Sequence, residues 1–135
     1  MEHIRPAKEQ DLPYLYEICL RTALSGLDGT DYFHDPFCVG HYYAAPYLFF
    51  DPSLCFIAVD EHNKPSGYIV GTSDTASFNK WMNSSWLPPL QTQYEQVDTF
   101  KSEYEEEIIR LISKGPGEGV WEHVGYPGHL HIKSP

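Results

Sequence analysis

The chain has 135 residues, with 9 Lys and Arg against 19 Asp and Glu, for a formal charge of −10. That length suits one compact domain, and that charge leaves no basic surface for a phosphate backbone or an anionic membrane, which excludes nucleic-acid and membrane-surface binding by the chain alone. A hydrophobic fraction of 41% and an aromatic fraction of 15% suffice for a packed core, so the acidity is not that of a disordered chain.

Residues His3 to Ala7 are a strand candidate. Leu12, Leu15, Tyr16, Cys19 and Ala23 then keep the spacing of an amphipathic helix, with Pro13 early enough for its first turn and Gly26 able to close it in the left-handed conformation. A polar loop covers 25–34. Asp35 followed by Pro36 announces a second helix, the aspartate accepting from free amides, and that helix is expected to reach Ala44 or Ala45. Pro46 is expected to stop it, leaving Tyr47-Leu48-Phe49-Phe50 as a short apolar segment. Leu54 to Val59 is a continuous apolar run, as in a strand covered on both faces. A polar turn, 60–64, and a second strand, 66–73, complete a β-hairpin. Gly67 and Gly71 inside that strand point to a close approach of backbone or ligand.

Asp74 or Thr75 caps a short helix carrying Phe78, Trp81, Met82 and Trp86, which Pro88-Pro89 is expected to break. Tyr104, Ile108, Leu111 and Ile112 form the apolar stripe of a further helix. Its first turns hold Glu103, Glu105, Glu106 and Glu107, which read as a solvated face. Arg110 and Lys114 precede Gly115 at its end, an order that complements the helix dipole. Residues 128–132 alternate and predict a final strand. The sequence of elements implies an α/β or α+β domain with a mainly antiparallel sheet.

Cys19, Cys38 and Cys55 share no close spacing and lie in apolar stretches, the pattern of buried thiols in a reducing compartment. No apolar signal region opens the chain and no apolar stretch is long enough to span a bilayer, so a soluble cytoplasmic protein is expected. Gly115-Pro116-Gly117-Glu118-Gly119 follows a helix, lacks a lysine and contains an acid, so it reads as a connecting loop rather than a phosphate cradle. His123, His129 and His131 raise a metal site, because the H-x-H spacing puts His129 and His131 on one strand face. Hydrogen-bonded strand histidines, or a histidine acting as base in a cleft, fit the same residues, and no metal is assigned. Asp74, between a strand and a helix, either caps the helix or points into a site. Tyr42, Tyr43, Tyr47, Phe49 and Phe50 are core candidates, with tyrosines at a loop border able to line a pocket.

Ile4-Arg5-Pro6-Ala7, Asp11-Leu12 and Tyr16-Glu17-Ile18-Cys19 open the chain in a manner that resembles the N-terminal part of the GCN5-related N-acetyltransferase (GNAT) superfamily. Asp35-Pro36, Pro46-Tyr47-Leu48, the string from Gly67 to Thr75, Trp86 to Leu90 and Tyr126 to Ile132 are similar to the acetyltransferase-like domain found C-terminal to some O-GlcNAc hydrolases and to its free-standing microbial relatives. The resemblance runs from about residue 3 to residue 132. It implies a GNAT-like, mainly antiparallel mixed sheet flanked by helices in a single domain, 1–135. In that family the strand matching His129 to Ile132 continues into [QR]-x-x-G-x-[GA] at a helix start, which holds the coenzyme A pyrophosphate. That motif does not follow here, and the expectation is a fold truncated after its fourth strand, lacking the C-terminal coenzyme A-binding half.

The resemblance further implies acyl transfer from acetyl-CoA to a small-molecule or peptide amine. Asp74 or His131 would be the base, the backbone of Leu130, His131 and Ile132 would face the pantetheine and thioester, and Tyr43 and Tyr68 would line the substrate pocket. The chain alone would be inactive or completed by another chain. The alternative is a non-catalytic binding module that uses the aromatic cleft around Tyr43, Asp74 and His131, and a third reading is an incomplete gene product. An exposed sheet edge and apolar face would favour a homo-oligomer or a completing partner chain.

Overall fold

The computed structural model describes residues 3–117 and 128–134. Four strands, β1 (His3–Pro6), β2 (Phe56–Val59), β3 (Pro65–Thr72) and β4 (His129–Lys133), form one sheet in the order β1-β2-β3-β4, with every neighbouring pair antiparallel. The register sets two faces. Tyr68, Val70 and Thr72 of β3 lie beside Lys133, His131 and His129 of β4, on the side where Ile57 and Val59 of β2 are fully buried. Ile4, Leu130 and Ile132 lie on the other side and are 61%, 60% and 64% exposed. β2 is therefore covered on one face only among the described residues. Its continuous apolar run arises because Phe56 and Ala58, on the outer face, pack against other apolar residues across the sheet, Ile69 and Ile4.

The helices occupy the buried side. Helix α1 (Leu12–Arg21) packs on α2 (Cys38–Tyr43) and on β3, and α3 (Ala45–Phe50) also meets β3. Arg5 ties β1 to the start of α1: its guanidinium donates two hydrogen bonds of 2.8 Å to Asp11, which also accepts from the Lys8 amide. The second helix begins at Cys38 rather than at Pro36, because Asp35 Oδ1 accepts from Phe37 N and holds residues 35–37 as a turn. Pro46 does not end a helix. It sits in the first turn of α3, where a missing N–H costs no bond, so the apolar segment 47–50 is helical.

Asp74 caps α4 (Thr75–Trp81), as one reading of the sequence expects. The chain then runs through a π-helical turn, Met82–Trp86, directly into α5 (Leu87–Tyr94). Pro88 and Pro89 stand in the first turn of α5, so they do not break the helical run. A first-turn proline has no intrahelical hydrogen bond to lose, so the run continues from the π-turn into α5.

Helix α6 (Glu103–Lys114) is capped by the Ser102 hydroxyl, which accepts from Glu105 N, and ends at Gly115, whose φ of 74° is in the left-handed region. Its acidic first turns are not all solvated. Glu105 is 2% exposed, and its carboxylate accepts from the amides of His34 (2.6 Å), Asp35 (3.0 Å) and Lys101 (2.9 Å), which staples the 34–35 turn to the helix start.

Gly67 and Gly71 mark the close approach that the sequence predicts, and the approaching group is backbone. A Cβ at Gly71 would stand 2.7 Å from His129 O, and one at Gly67 would stand 2.8 Å from Lys133 O. Both glycines let β4 pair tightly with β3. That pairing positions the candidate site.

Candidate functional site

The alternation of β4 turns His129, His131 and Lys133 toward the helices and Leu130 and Ile132 away from them. Tyr47 of α3 meets the two histidines. Its ring stacks on Phe78 of α4 at 4.3 Å between centroids, and its hydroxyl lies 2.6 Å from His129 Nε2 and 3.2 Å from His131 Nε2. Thr75, the first residue of α4, places its hydroxyl 2.7 Å from His129 Nδ1. The result is a hydrogen-bonded chain, Thr75–His129–Tyr47–His131, drawn from three elements.

Burial pushes both histidine pKa values down, with His131 reaching about 4, lowered further by the neighbouring His129 and Lys133. Burial also pushes the Tyr47 hydroxyl far up. At neutral pH all three groups are uncharged. A neutral imidazole carries one N–H, so the Tyr47 hydroxyl donates to one histidine and accepts from the other. The chain can reverse its direction without creating a charge. His131 Nδ1 has no hydrogen-bond partner among the described residues.

Two cavities adjoin this chain. The first, about 320 Å³, lies between β3, β4, α1, α2 and α6, and its walls include Tyr43, Tyr68, Phe33 and Tyr104, with Glu107 and Lys133. The second, about 350 Å³, is lined by Tyr47, Phe78, Met82, His129 and Leu130, among others. Tyr43 and His131, in edge contact at 5.9 Å between ring centroids, belong to the walls of both. Tyr68 is 1% exposed, and its hydroxyl has no hydrogen-bond partner among the described residues. The neighbouring Cys19 thiol is a weak acceptor and does not satisfy it.

The structure thus brings His131, Tyr43 and Tyr68 together, with the backbone of 130–132 beside them. It does not bring Asp74 to this site. That carboxylate is exposed, lines neither cavity, and accepts from Ser77 N (3.1 Å) and Ser77 Oγ (2.7 Å). These hydrogen bonds, the side-chain one foremost, hold its pKa below the usual carboxylate range, so it is an ionised helix cap rather than a base. No group of three or more His, Cys, Asp or Glu able to hold a metal occurs among the described residues, and both imidazole Nε2 atoms meet a phenol. His123, Glu118, Gly119, Tyr126 and Pro127 lie outside the described residues. All three cysteines are buried free thiols, and burial pushes Cys19 and Cys55 up to about 11 and Cys38 to about 12, which keeps them protonated.

The sequence reads Tyr47 as a core residue or a pocket-lining tyrosine and Thr75 as a possible cap, and neither reading contains their hydrogen bonds to the histidines. The period of two that pairs His129 with His131 also carries Lys133 to the same face, and the spacing of α6 puts Glu107 one turn from Glu103. Those two signals were available for the charged residues of the first cavity.

An antiparallel sheet with helices α1 and α2 folded against one face, matched by a solved structure along nearly the whole chain, makes this a GNAT-like domain. Within that class it is similar to the crystal structure of SsHAT, with a TM-score of 0.81 and 29% identity, covering 99% of this chain and 66% of that one. It is also similar to protein O-GlcNAcase of Rattus norvegicus and of Mus musculus, each 31% identical over 108 residues, which is 80% of this chain. The chain spans only 12% of the length of those curated relatives. No family model matches it. Among the described residues no helix is long and apolar enough to cross a membrane.

Proposed function

We propose that this domain takes part in acyl transfer from acetyl-CoA to an amine, with His131 as the proton acceptor. The observation that carries the reading is the position of His131: a neutral imidazole shared by two cavities, with Nε2 held by Tyr47 and Nδ1 left without a partner among the described residues. The GNAT-like fold supports the reaction class.

The described residues fit part of acetyl-CoA. β4 is an edge strand among them, and its outward backbone groups suit an extended, amide-bearing arm laid alongside. They do not fit a diphosphate. The N-terminus of α1 follows Asp11, α4 is capped by Asp74, α5 opens with two prolines, and α6 opens with Glu103, Glu105 and Glu106.

Acetyl-CoA, when bound, supplies the acetyl group as a thioester. For that transfer His131 Nδ1 would accept the proton that the amine nitrogen loses on bonding to the acetyl carbon, and the thiolate released from the broken carbon–sulfur bond would take its proton from water. Tyr47 holds the His131 ring through Nε2, and His129 with Thr75 fixes the direction of the Tyr47 hydroxyl. A base with its pKa near 4 cannot deprotonate an ammonium ion in water, so the cavity must take the amine neutral or strip its solvent first.

The test is thiol release from acetyl-CoA over a panel of amines, alongside acetyl-CoA binding by calorimetry. The expected result is turnover that His131→Gln lowers by about 10²–10⁴ with acetyl-CoA binding retained. Failure to bind acetyl-CoA, or turnover indifferent to His131→Gln, would overturn the reading and favour the non-catalytic binding module.

A further inference from the structure

The first cavity contains three polar groups without an assigned partner. The Tyr68 hydroxyl is buried and unsatisfied, a condition that is unfavourable unless a ligand or water meets it. Glu107, from α6, and Lys133, from β4, line the same cavity. Neither takes part in an ion pair among the described residues, with each other or with any other group. The rest of the wall is apolar or aromatic, with Phe33, Val39, Tyr104 and Ile108 prominent. A volume of about 320 Å³ falls at the low end for ligand cavities and calls for a small molecule.

The two charges decide the class of that molecule. A simple amine would be drawn to Glu107 and repelled by Lys133. A simple carboxylate would meet the reverse, inside a chain whose net charge is −10. A ligand bearing one ammonium and one carboxylate is attracted by both. With an apolar body it also covers the aromatic wall, and one of its polar atoms can reach Tyr68.

We propose that the cavity walled by Tyr68, Tyr43 and Phe33, with Glu107 and Lys133 as its charged groups, binds a free amino acid with an apolar side chain. Glu107 takes the ammonium and Lys133 the carboxylate. The proposal deepens the acyl-transfer reading, on which it rests only in making that amino group the acceptor, in a cavity whose wall includes His131.

Calorimetry on the full chain without acyl donor tests it, using L-phenylalanine, 2-phenylethylamine and 3-phenylpropanoate at pH 7. L-phenylalanine is expected to bind at least about tenfold more tightly than either analogue, since each charged contact is worth a tenfold change or more. Glu107→Gln should weaken L-phenylalanine and 2-phenylethylamine and spare 3-phenylpropanoate; Lys133→Met should do the opposite for the analogues. Tyr68→Phe should weaken L-phenylalanine while leaving the urea midpoint unchanged or raised. Equal binding of amine and amino acid, indifference to both charge variants, or no binding of any probe to folded protein overturns the proposal. Binding of L-phenylalanine without binding of acetyl-CoA would overturn the acyl-transfer reading alone. Turnover confined to amines without a carboxylate would overturn the amino-acid proposal alone.

Discussion

Replacing Glu105 by Gln should destabilise the domain far more than any other change in its acidic run. The carboxylate is 2% exposed and divides its acceptors: Oε2 takes His34 N and Asp35 N, and Oε1 takes Lys101 N. Glutamine retains one acceptor oxygen. Directed at His34 and Asp35, that oxygen leaves the side-chain NH2 facing the Lys101 amide, donor against donor. One charge-assisted bond, worth about 1.5–3 kcal/mol, is then lost, and the other two fall to the weaker neutral kind, for a total of about 3 kcal/mol. That is a large share of the roughly 5–15 kcal/mol that holds an ordinary domain together. Urea unfolding at pH 7 with linear extrapolation reads the difference, and Glu103→Gln, on the exposed face of the same turn, is the control. A loss below about 1 kcal/mol for Glu105→Gln, or one no larger than the control, would refute the staple.

The remaining perturbations test the sheet and its histidines. Protonation separates two pH windows: the folded pKa of His131 lies near 4, below its ordinary 6.5, so the unfolded chain binds the proton first and stability falls as pH drops from about 6.5 toward 4. The full effect is at most about 3 kcal/mol, reduced by solvent reaching the ring, and His131→Gln should flatten the slope of urea midpoint against pH in that window. Asp11 acts lower. Its folded pKa is depressed chiefly by the Arg5 hydrogen bonds, so its contribution is present above its unfolded value of about 3.8 and disappears as pH falls below that, and Asp11→Asn should weaken only the response below pH 4. Gly71→Ala drives a Cβ to 2.7 Å from His129 O and should cost about 1–3 kcal/mol in urea unfolding while shifting the His131 ring resonances in NMR. Leu130 and Ile132, exposed on β4, an edge strand among the described residues, predict concentration-dependent self-association, which Ile132→Lys should abolish in sedimentation velocity; an unchanged monomer for the unsubstituted chain would refute it.

The strands, α1 and the capped ends of α4 and α6 were legible because their signals are local: a period of two or 3.6, a cap, a closing glycine. The antiparallel hairpin and the burial of the three cysteines followed from the same patterns. Prolines misled where their position in the helix mattered more than their presence. Pro46 and Pro88 each sit in a first turn, and only the neighbouring π-turn and the Ala44 junction, both tertiary outcomes, distinguish a starting proline from a terminating one. Glu105 illustrates the harder limit. Its spacing, four residues before Ile109 and seven before Ile112, puts it on the buried face of α6, but its partners, His34 and Asp35, lie about seventy residues away, so no local signal shows what satisfies the carboxylate there.

The histidine pair shows how a local rule and a distant contact combine. Alternation along β4 placed His129 and His131 on one face and left metal binding, hydrogen bonding and base chemistry as open readings. Tyr47 realises the hydrogen-bonded reading: its hydroxyl lies between the two Nε2 atoms, Thr75 meets His129 Nδ1, and burial lowers both imidazole pKa values. Tyr47 reaches that point because α3 is a helix rather than a loose apolar segment, with Pro46 accommodated in its first turn. The helix start that the pattern reads as an end therefore sets which histidine nitrogens Tyr47 engages. Inserting a residue after Ala44 would rotate Tyr47 off the face that meets β4 and break both its hydrogen bonds to the histidines, read as shifts of the His129 and His131 ring resonances in NMR; unchanged resonances would refute the link between the start of α3 and the histidine pair.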